Sequence, residues 1–501
     1  MDPNVILIQK KTEAKVILQC SDSGVLREIS EHFTFFAEGY KFHPMFKNKI
    51  WDGKIRLFNL RDSTLPFGLF SHVYQFAESR GYSVQFAPEF NDIQYPKKED
   101  VLSYVSSLKV TTRGKEINPH SYQVEAIAQG LSHGRNILIS PTGSGKSLII
   151  YFMMRWFLQN HPDKVLIVVP TTSLVEQMYK DFDDYSSLDD SFSSDADVHR
   201  IYSGKEKMNF SQRVVVTTWQ SAIKLPPGWF AQFGMVIGDE AHLFKAKSLT
   251  TIMDRLIHAR YRIGTTGTLD GSQIHEWVLN GVFGATYKVI STKELMDSDI
   301  LSQCKIECLA LKHNEEDRKL VSKLDYADEI DFIVSCESRN NLIVNLALAQ
   351  TGNTLVLFHR VEKHGIPLFK SIQKKSDSLR KVFYVSGTVD AEEREKIREL
   401  TEKEKNAIIV ASMGVFSTGV NIRNLHTIIF ASPTKSQIKV LQSIGRGLRK
   451  SDDGRPTTIY DISDDLSWKK SKNYTLDHAI SRVKIYAKEK FQYKIHEVPL
   501  P

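Results

Sequence analysis

Apolar runs bounded by turn-forming residues recur along the whole chain, but their texture changes twice. From Met1 to about Tyr95 the runs are short and alternate with polar residues: Val5–Ile8, Val16–Gln19, Lys54–Phe58 and Ser83–Phe86. With helical stretches between them, these predict a small α+β domain over residues 1–98, closed by the polar stretch Gln94–Asp100. From about Val101 to Gly284 the runs become continuous: Asn136–Ile139, Val165–Val169, Val214–Val216 and Met235–Ile237. Continuous apolar strands separated by helical patterns predict a parallel sheet covered on both faces. The same texture returns after Ile290 in Thr354–Phe358, Val382–Val385, Ala407–Val410 and Thr427–Phe430, ending in a basic helix. Two tandem α/β blocks, 99–288 and 289–501, are therefore expected, with a ligand cleft between them.

Composition narrows the class without naming it. At 501 residues the chain is too long for one core, and 41% hydrophobic with 25% charged residues is the profile of an ordinary globular protein. A formal net charge of +7 suits a polyanionic partner. The start carries no basic n-region and no apolar run is long enough to span a bilayer, so no membrane role is expected. The four cysteines suggest no disulfide framework and a reducing cytoplasm. Cys304 and Cys308 lack a second Cys/His pair at zinc spacing, and Cys304–Leu311 is read as a half-buried strand.

Chemistry enters at the end of the Asn136–Ser140 strand. There Pro141-Thr142-Gly143-Ser144-Gly145-Lys146-Ser147 leads into a helix. Glycines let backbone N–H groups converge on phosphate oxygens, and the helix N-terminus favours the anion. Lys146 is expected to reach the β- and γ-phosphates of ATP, and the Ser147 hydroxyl to ligate Mg²⁺. Asp239-Glu240-Ala241-His242 follows the strand Met235–Ile237. Asp239 there would hold Mg²⁺, and Glu240 would position and deprotonate the attacking water.

The order of these motifs resembles that of superfamily 2 helicases of the Asp-Glu-Ala-His kind. The resemblance implies two RecA-like motor domains and assigns further roles residue by residue. Tyr122-Gln123 is similar to the adenine-reading motif, although His120 stands where arginine is frequent and Gln123 taken singly reads as a surface glutamine. Pro170-Thr171-Thr172 and Thr217-Thr218-Trp219 resemble loops that hold the nucleic-acid backbone. His359-Arg360 and Ser386-Gly387 resemble similar loops in the second block. Thr266-Gly267-Thr268, with His242 and Gln442, resembles the elements that couple hydrolysis to motion. Ser417-Thr418 and Gly419 with Asn421 resemble a motif touching both DNA and nucleotide, though Asn421 replaces a frequent aspartate. Arg446 and Arg449, three apart and so on one helix face, resemble arginine fingers completing the ATP site. Such a finger contributes about 10³–10⁵ in rate.

Within Lys41–Arg61, cations alternate with aromatics, and Lys47, Lys49, Trp51, Lys54 and Arg56 are the expected DNA-binding residues. An ordinary hairpin with its aromatics in its own core explains the same pattern. Phe46–Leu57, Leu65–Leu69, Val415–Gly419 and Tyr486–Phe491 are similar to UvsW-type recombination helicases of T-even-like phages. That resemblance implies a monomeric ATP- and Mg²⁺-dependent 3′–5′ DNA helicase in the host-cell cytoplasm. It would serve recombination, repair and recombination-dependent replication, acting on Holliday junctions, forks, D-loops and RNA–DNA hybrids. Single-strand-binding or recombinase proteins would be partners. An RNA helicase, a duplex translocase that separates no strands, and an ATP-switched nucleic-acid-binding scaffold are the alternatives.

Overall fold

The computed structural model describes residues 2–37, 39–91, 94–243, 246–269, 273–377, 379–387, 400, 403–418, 424–433, 440, 444–445, 448 and 453–500. Of 246, 273–274 and 416–418 it describes the backbone only. Met1–Ser140 with Gly145–Val289 forms one compact unit, and Ile290–Pro501 makes up most of a second.

In the first unit, the N-terminal alternation becomes a four-stranded mixed sheet in the order Thr64–Pro66, Lys15–Gln19, Val5–Lys10, Ser83–Phe86. Every second residue (Ile6, Ile8, Val16, Leu18) faces a core completed by Val25, Ile29, Val73 and Phe76 of two helices, Ser23–His32 and Phe70–Arg80. Asp22 caps the first of these by accepting from the Gly24 N–H.

This core is not closed by its own residues. Trp277, from the helix Gln273–Phe283, packs into it with ring centroids 5.4 Å from Phe33, 4.9 Å from Phe35 and 4.8 Å from His72. The turn Phe67–Leu69 lies so close to the same helix that a Cβ on Gly68 would fall 2.0 Å from the Asn280 carbonyl oxygen. Arg135 adds an ion pair to Glu13 at 2.6 Å and lies over the Phe67 ring at 4.0 Å.

The expected fold class is the one observed: two parallel sheets of seven strands each. In the first, the spatial order is Val198–Ile201, Val214–Thr218, Lys164–Val169, Phe233–Asp239, Tyr261–Thr266, Arg135–Ile139, Ala285–Lys288. In the second it is Val382–Val385, Ile408–Ser412, Asn353–Phe358, Leu425–Phe430, Thr457–Asp465, Cys304–Lys312, Gln492–Pro499. Numbered within each block, both orders read 3-4-2-5-6-1-7, and both slip register at the same point, where strand 2 meets strand 5. The two blocks are copies of one topology. Their central strands are buried on both faces, which is why they read as unbroken Val/Ile/Leu runs.

One strand of the second block hides two acids. On Thr457–Asp465, Asp461 accepts from Arg482 at 2.7 Å and from the Tyr486 hydroxyl at 2.8 Å, all three buried. Asp464 accepts from Arg339 at 2.8 Å and sits 3.0 Å from His313, again fully buried. The Arg339 and His313 charges hold the Asp464 carboxyl below its ordinary range against its burial, and Asp464 lifts His313 to about 9. Cys304 and Cys308 lie on the neighbouring strand Cys304–Lys312, both buried. The basic stretch expected at the end is the helix Tyr474–Lys488, followed by an exposed edge strand, Gln492–Pro499.

Candidate active site

The strands Phe233–Asp239, Tyr261–Thr266 and Arg135–Ile139 are neighbours, so whatever follows their carboxyl ends meets in one place. Asp239 is paired in register with Thr265, and Thr266 with Ile139. The Ser140 N–H donates to the Thr266 carbonyl at 2.8 Å, fixing the start of the loop to the middle strand.

The loop itself depends on glycine. Gly143 and Gly145 have φ of +87° and +80°, the left-handed region that glycine enters without strain. A Cβ on Gly145 would also lie 2.3 Å from the Gln123 amide nitrogen. Gln123 is therefore buried against the loop, not the surface glutamine its residue type suggests; its amide oxygen accepts from the His120 N–H at 2.8 Å. The Tyr122 ring stacks on His120 at 5.5 Å. Ser144 closes the loop on itself, its hydroxyl donating to the Pro141 carbonyl at 2.7 Å, while Thr142 is half-buried.

The helix Lys146–Asn160 starts at the loop's end. Lys146 Nζ donates to the Ser140 carbonyl at 3.2 Å and lies 3.6 Å from Glu240. Ser147 Oγ is 2.9 Å from the Tyr185 hydroxyl. Asp239 is buried and accepts from the Thr265 hydroxyl at 2.7 Å. Burial, then the adjacent Glu240 carboxylate, push its carboxyl up to about 6, with Lys146 and Thr265 opposing. Glu240 has φ of +50°, a left-handed conformation that costs a non-glycine residue on the order of 1–3 kcal/mol. From Glu240 a chain of polar contacts runs onward. His242 Nδ1 is 3.5 Å from Glu240 and 2.5 Å from the Thr266 hydroxyl, which donates to the Thr268 carbonyl at 2.8 Å. Phosphate loop, acidic box and middle strand are thus one connected cluster. No group of three or more His, Cys, Asp or Glu side chains able to hold a metal occurs among the described residues.

The expected backbone-holding loops divide by burial. Thr171 caps the helix Thr172–Tyr185, and Thr172 is exposed. Thr217 and Thr218 are buried, their hydroxyls engaged with the Ile201 carbonyl and with Ser221, so the loop offers its backbone and half-buried Trp219. Gln220, which follows Trp219 in the same motif, donates to the Pro170 carbonyl at 3.2 Å and ties the two loops together. In the second unit His359 and Arg360 are exposed after the strand Asn353–Phe358, Ser386 is buried and Gly387 exposed. Gly419, Asn421, Gln442, Arg446 and Arg449 lie outside the described residues, and Ser417 and Thr418 are described in backbone alone. In the N-terminal region Lys47 and Lys49 are exposed, Trp51 and Lys54 are half-buried, and Arg56 pairs with Asp52.

With this geometry in hand, comparison with known proteins identifies three regions. The N-terminal domain of the DNA helicase UvsW matches residues 6–87, the res subunit of type III restriction enzymes 116–271, and the helicase conserved C-terminal domain 337–451. The ATP-dependent DNA helicase uvsW of Enterobacteria phage T4 is 38% identical over 97% of this chain and 98% of its own length. The DNA 3′-5′ translocase XPB2 of Sulfurisphaera tokodaii is 24% identical over 70% of this chain and 82% of its own. The crystal structure of T4 UvsW covers 99% of this chain and 100% of its own, with 36% identity and a TM-score of 0.53.

Proposed function

This chain belongs to the UvsW family of ATP-dependent DNA helicases, and we propose that it translocates 3′ to 5′ on branched DNA. As a member it is an ATP-hydrolysing helicase. The observation that carries the mechanism is the unbroken path Lys146–Glu240–His242–Thr266, which links the phosphate loop to the strand between loop and acidic box.

Lys146 and the amides of Gly143–Lys146 bind the β- and γ-phosphates, with Tyr122 and Gln123 at the nucleoside. Glu240 orients the attacking water and takes its proton, a task suited to a carboxylate beside a lysine and a histidine. The residues fit Mg²⁺. Two carboxylates face one lysine here, and Asp239 stays ionised at neutral pH against its burial, so the site is short of positive charge. Mg²⁺ is ordinarily held by one or two protein oxygens plus substrate phosphate and water; Ser147 and Asp239 would supply those two. When bound it neutralises the charge that develops on the phosphate oxygens. His242 and Thr266 carry the change of state at Glu240 to Gly267 and Thr268, and Gln442, Arg446, Arg449, Gly419 and Asn421 act from the second motor.

Residues 1–98 are read as the accessory domain, 99–288 and 289–501 as the two motors. DNA is held by Pro170, Thr171, Thr172, the Thr217–Trp219 loop, His359, Arg360, Ser386, Gly387, Ser417 and Thr418, and by Lys47, Lys49, Trp51, Lys54 and Arg56. The polarity is supported by the relative named a 3′-5′ translocase. Holliday junctions, forks, D-loops and RNA–DNA hybrids are the proposed substrates, in recombination, repair and replication. The chain would act as a monomer in the host-cell cytoplasm, with single-strand-binding or recombinase proteins alongside. No helix among the described residues is long and apolar enough to cross a membrane. Unwinding is to be compared on junctions, forks, RNA–DNA hybrids, blunt duplex and duplex RNA, with triplex displacement as the measure of bare translocation. Strand separation fastest on the branched DNAs is expected. Equal rates on duplex RNA, or triplex displacement without strand separation, would overturn the substrate assignment.

A further inference from the structure

The hairpin Thr34–Phe36/Lys54–Arg56 carries an excursion whose described residues build a small scaffold of their own. Phe36 stacks on Tyr40 at 4.7 Å, and Tyr40 meets Phe46 edge-on at 4.8 Å. Gly53, at φ +78°, leaves room for the Tyr40 ring, which would lie 2.4 Å from a Cβ there. Trp51 donates its indole N–H to the Lys54 carbonyl at 3.0 Å and packs on His43 at 5.3 Å. These rings pack on one another as an ordinary hairpin's would, but none of them is buried.

That packing does not use up the apolar residues. Phe42 remains 80% exposed and Ile50 70% exposed, against a chain whose large hydrophobics are mostly buried. Ile50 lines a groove of about 820 Å³ together with Lys41, Phe46, Lys47, Lys49, Trp51 and Asp52. This lies within the volume range of sites that take small organic groups, about 300–1,000 Å³. The one carboxylate of the lining, Asp52, is engaged by Arg56, and among the described residues Lys41, Lys47 and Lys49 have no ion-pair partner.

An apolar, partly aromatic floor with an unneutralised cationic rim matches an unstacked base joined to its phosphates. Paired DNA offers the rim its phosphates but nothing to the floor, because its bases are stacked on each other. We infer that this groove holds unpaired nucleotides of a single strand, bases against Trp51, Phe46 and Ile50 and phosphates among Lys41, Lys47 and Lys49. The N-terminal domain thereby recognises the unpaired strand at a branch, not the duplex arms. The inference rests on the DNA-helicase reading and specifies which part of the substrate this domain touches.

The test uses the full chain without nucleotide, measuring affinity by anisotropy for a fork with an oligothymidine arm, the same fork with an abasic arm, and a blunt duplex. Ile50→Asn alters an exposed side chain and leaves the scaffold intact. It should weaken binding to the natural arm about four- to fifteenfold, as for the loss of one or two methylene groups of apolar contact, and change the other two less than twofold. Trp51→Phe should retain most of the affinity that Trp51→Ala loses. Replacing Lys41, Lys47 and Lys49 together by Ala should flatten the salt slope on the natural arm by about 2, from about 0.7 for each single-strand phosphate. Equal weakening on all three DNAs, or none on any, would overturn the inference. ATP turnover by the wild-type chain on the same fork is measured separately; its absence would sink the motor reading and leave the binding comparison standing.

Discussion

Replacing Asp239 by asparagine should make the first unit more stable while abolishing hydrolysis. Asp239 is buried beside a second carboxylate, and its carboxyl sits near pH 6 instead of the ordinary 3.8. Because the folded value is the higher one, folding favours the protonated acid. That stabilisation is full below pH 3.8 and is lost as pH rises through about 6. Relative to an ordinary carboxyl, ionised Asp239 thus costs on the order of 3 kcal/mol at pH 8, at about 1.4 kcal/mol for each tenfold change in proton affinity. Asparagine keeps the hydrogen bond from Thr265 and removes the charge. In calorimetric scans the transition of the first unit should rise by roughly 6–12 °C at pH 8, at about 2–4 °C per kcal/mol. The gain should hold from pH 8 down to about 6 and shrink from there toward pH 4. A variant no more stable than wild type at pH 8, or a gain independent of pH, would refute the reasoning. The stability forgone is what a cation-binding site requires: a negative charge held in place before the cation arrives.

Three further outcomes follow from the same contacts. Thr266→Val keeps the shape of a fully buried side chain but removes the hydroxyl between His242 and Thr268; unwinding per ATP hydrolysed should fall severalfold, measured as the ratio of the two rates on one fork. Trp277→Ala takes the ring out of the N-terminal core, at about 3 kcal/mol, and limited proteolysis should release residues 1–98 markedly faster. Asp464→Asn leaves Arg339 buried without its counter-charge, and should cost about 3–5 kcal/mol. The same Asp-to-Asn change should therefore lower the melting temperature of the second unit and raise that of the first.

What the sequence disclosed and what it hid have physical causes. The central strands were legible because sheets covered on both faces demand unbroken apolar runs. The phosphate loop and acidic box were legible because their chemistry tolerates few other residues. Thr457–Asp465 escaped notice because Asp461 and Asp464 look like surface acids until Arg482 and Arg339, distant in sequence, arrive beside them. The final strand, Gln492–Pro499, is an exposed edge whose few apolar residues are interrupted by Lys494, His496 and Glu497, so its apolar signature is weak. Trp277 could not be assigned to the N-terminal core from its own helix, since its partners lie some two hundred residues away. Gln123 taken singly gives no sign of its burial for a similar reason: packing against Gly145 is a tertiary fact.

The most direct test of the motor site is ATP hydrolysis by wild type and by Glu240→Gln, with and without forked DNA. Glutamine keeps the size of the side chain 3.6 Å from Lys146 but cannot take a proton. Wild-type turnover should rise on adding the fork, and the variant should remain at least a hundredfold slower with nucleotide binding retained. DNA-stimulated turnover surviving in Glu240→Gln would contradict the assignment of this site as the hydrolytic centre.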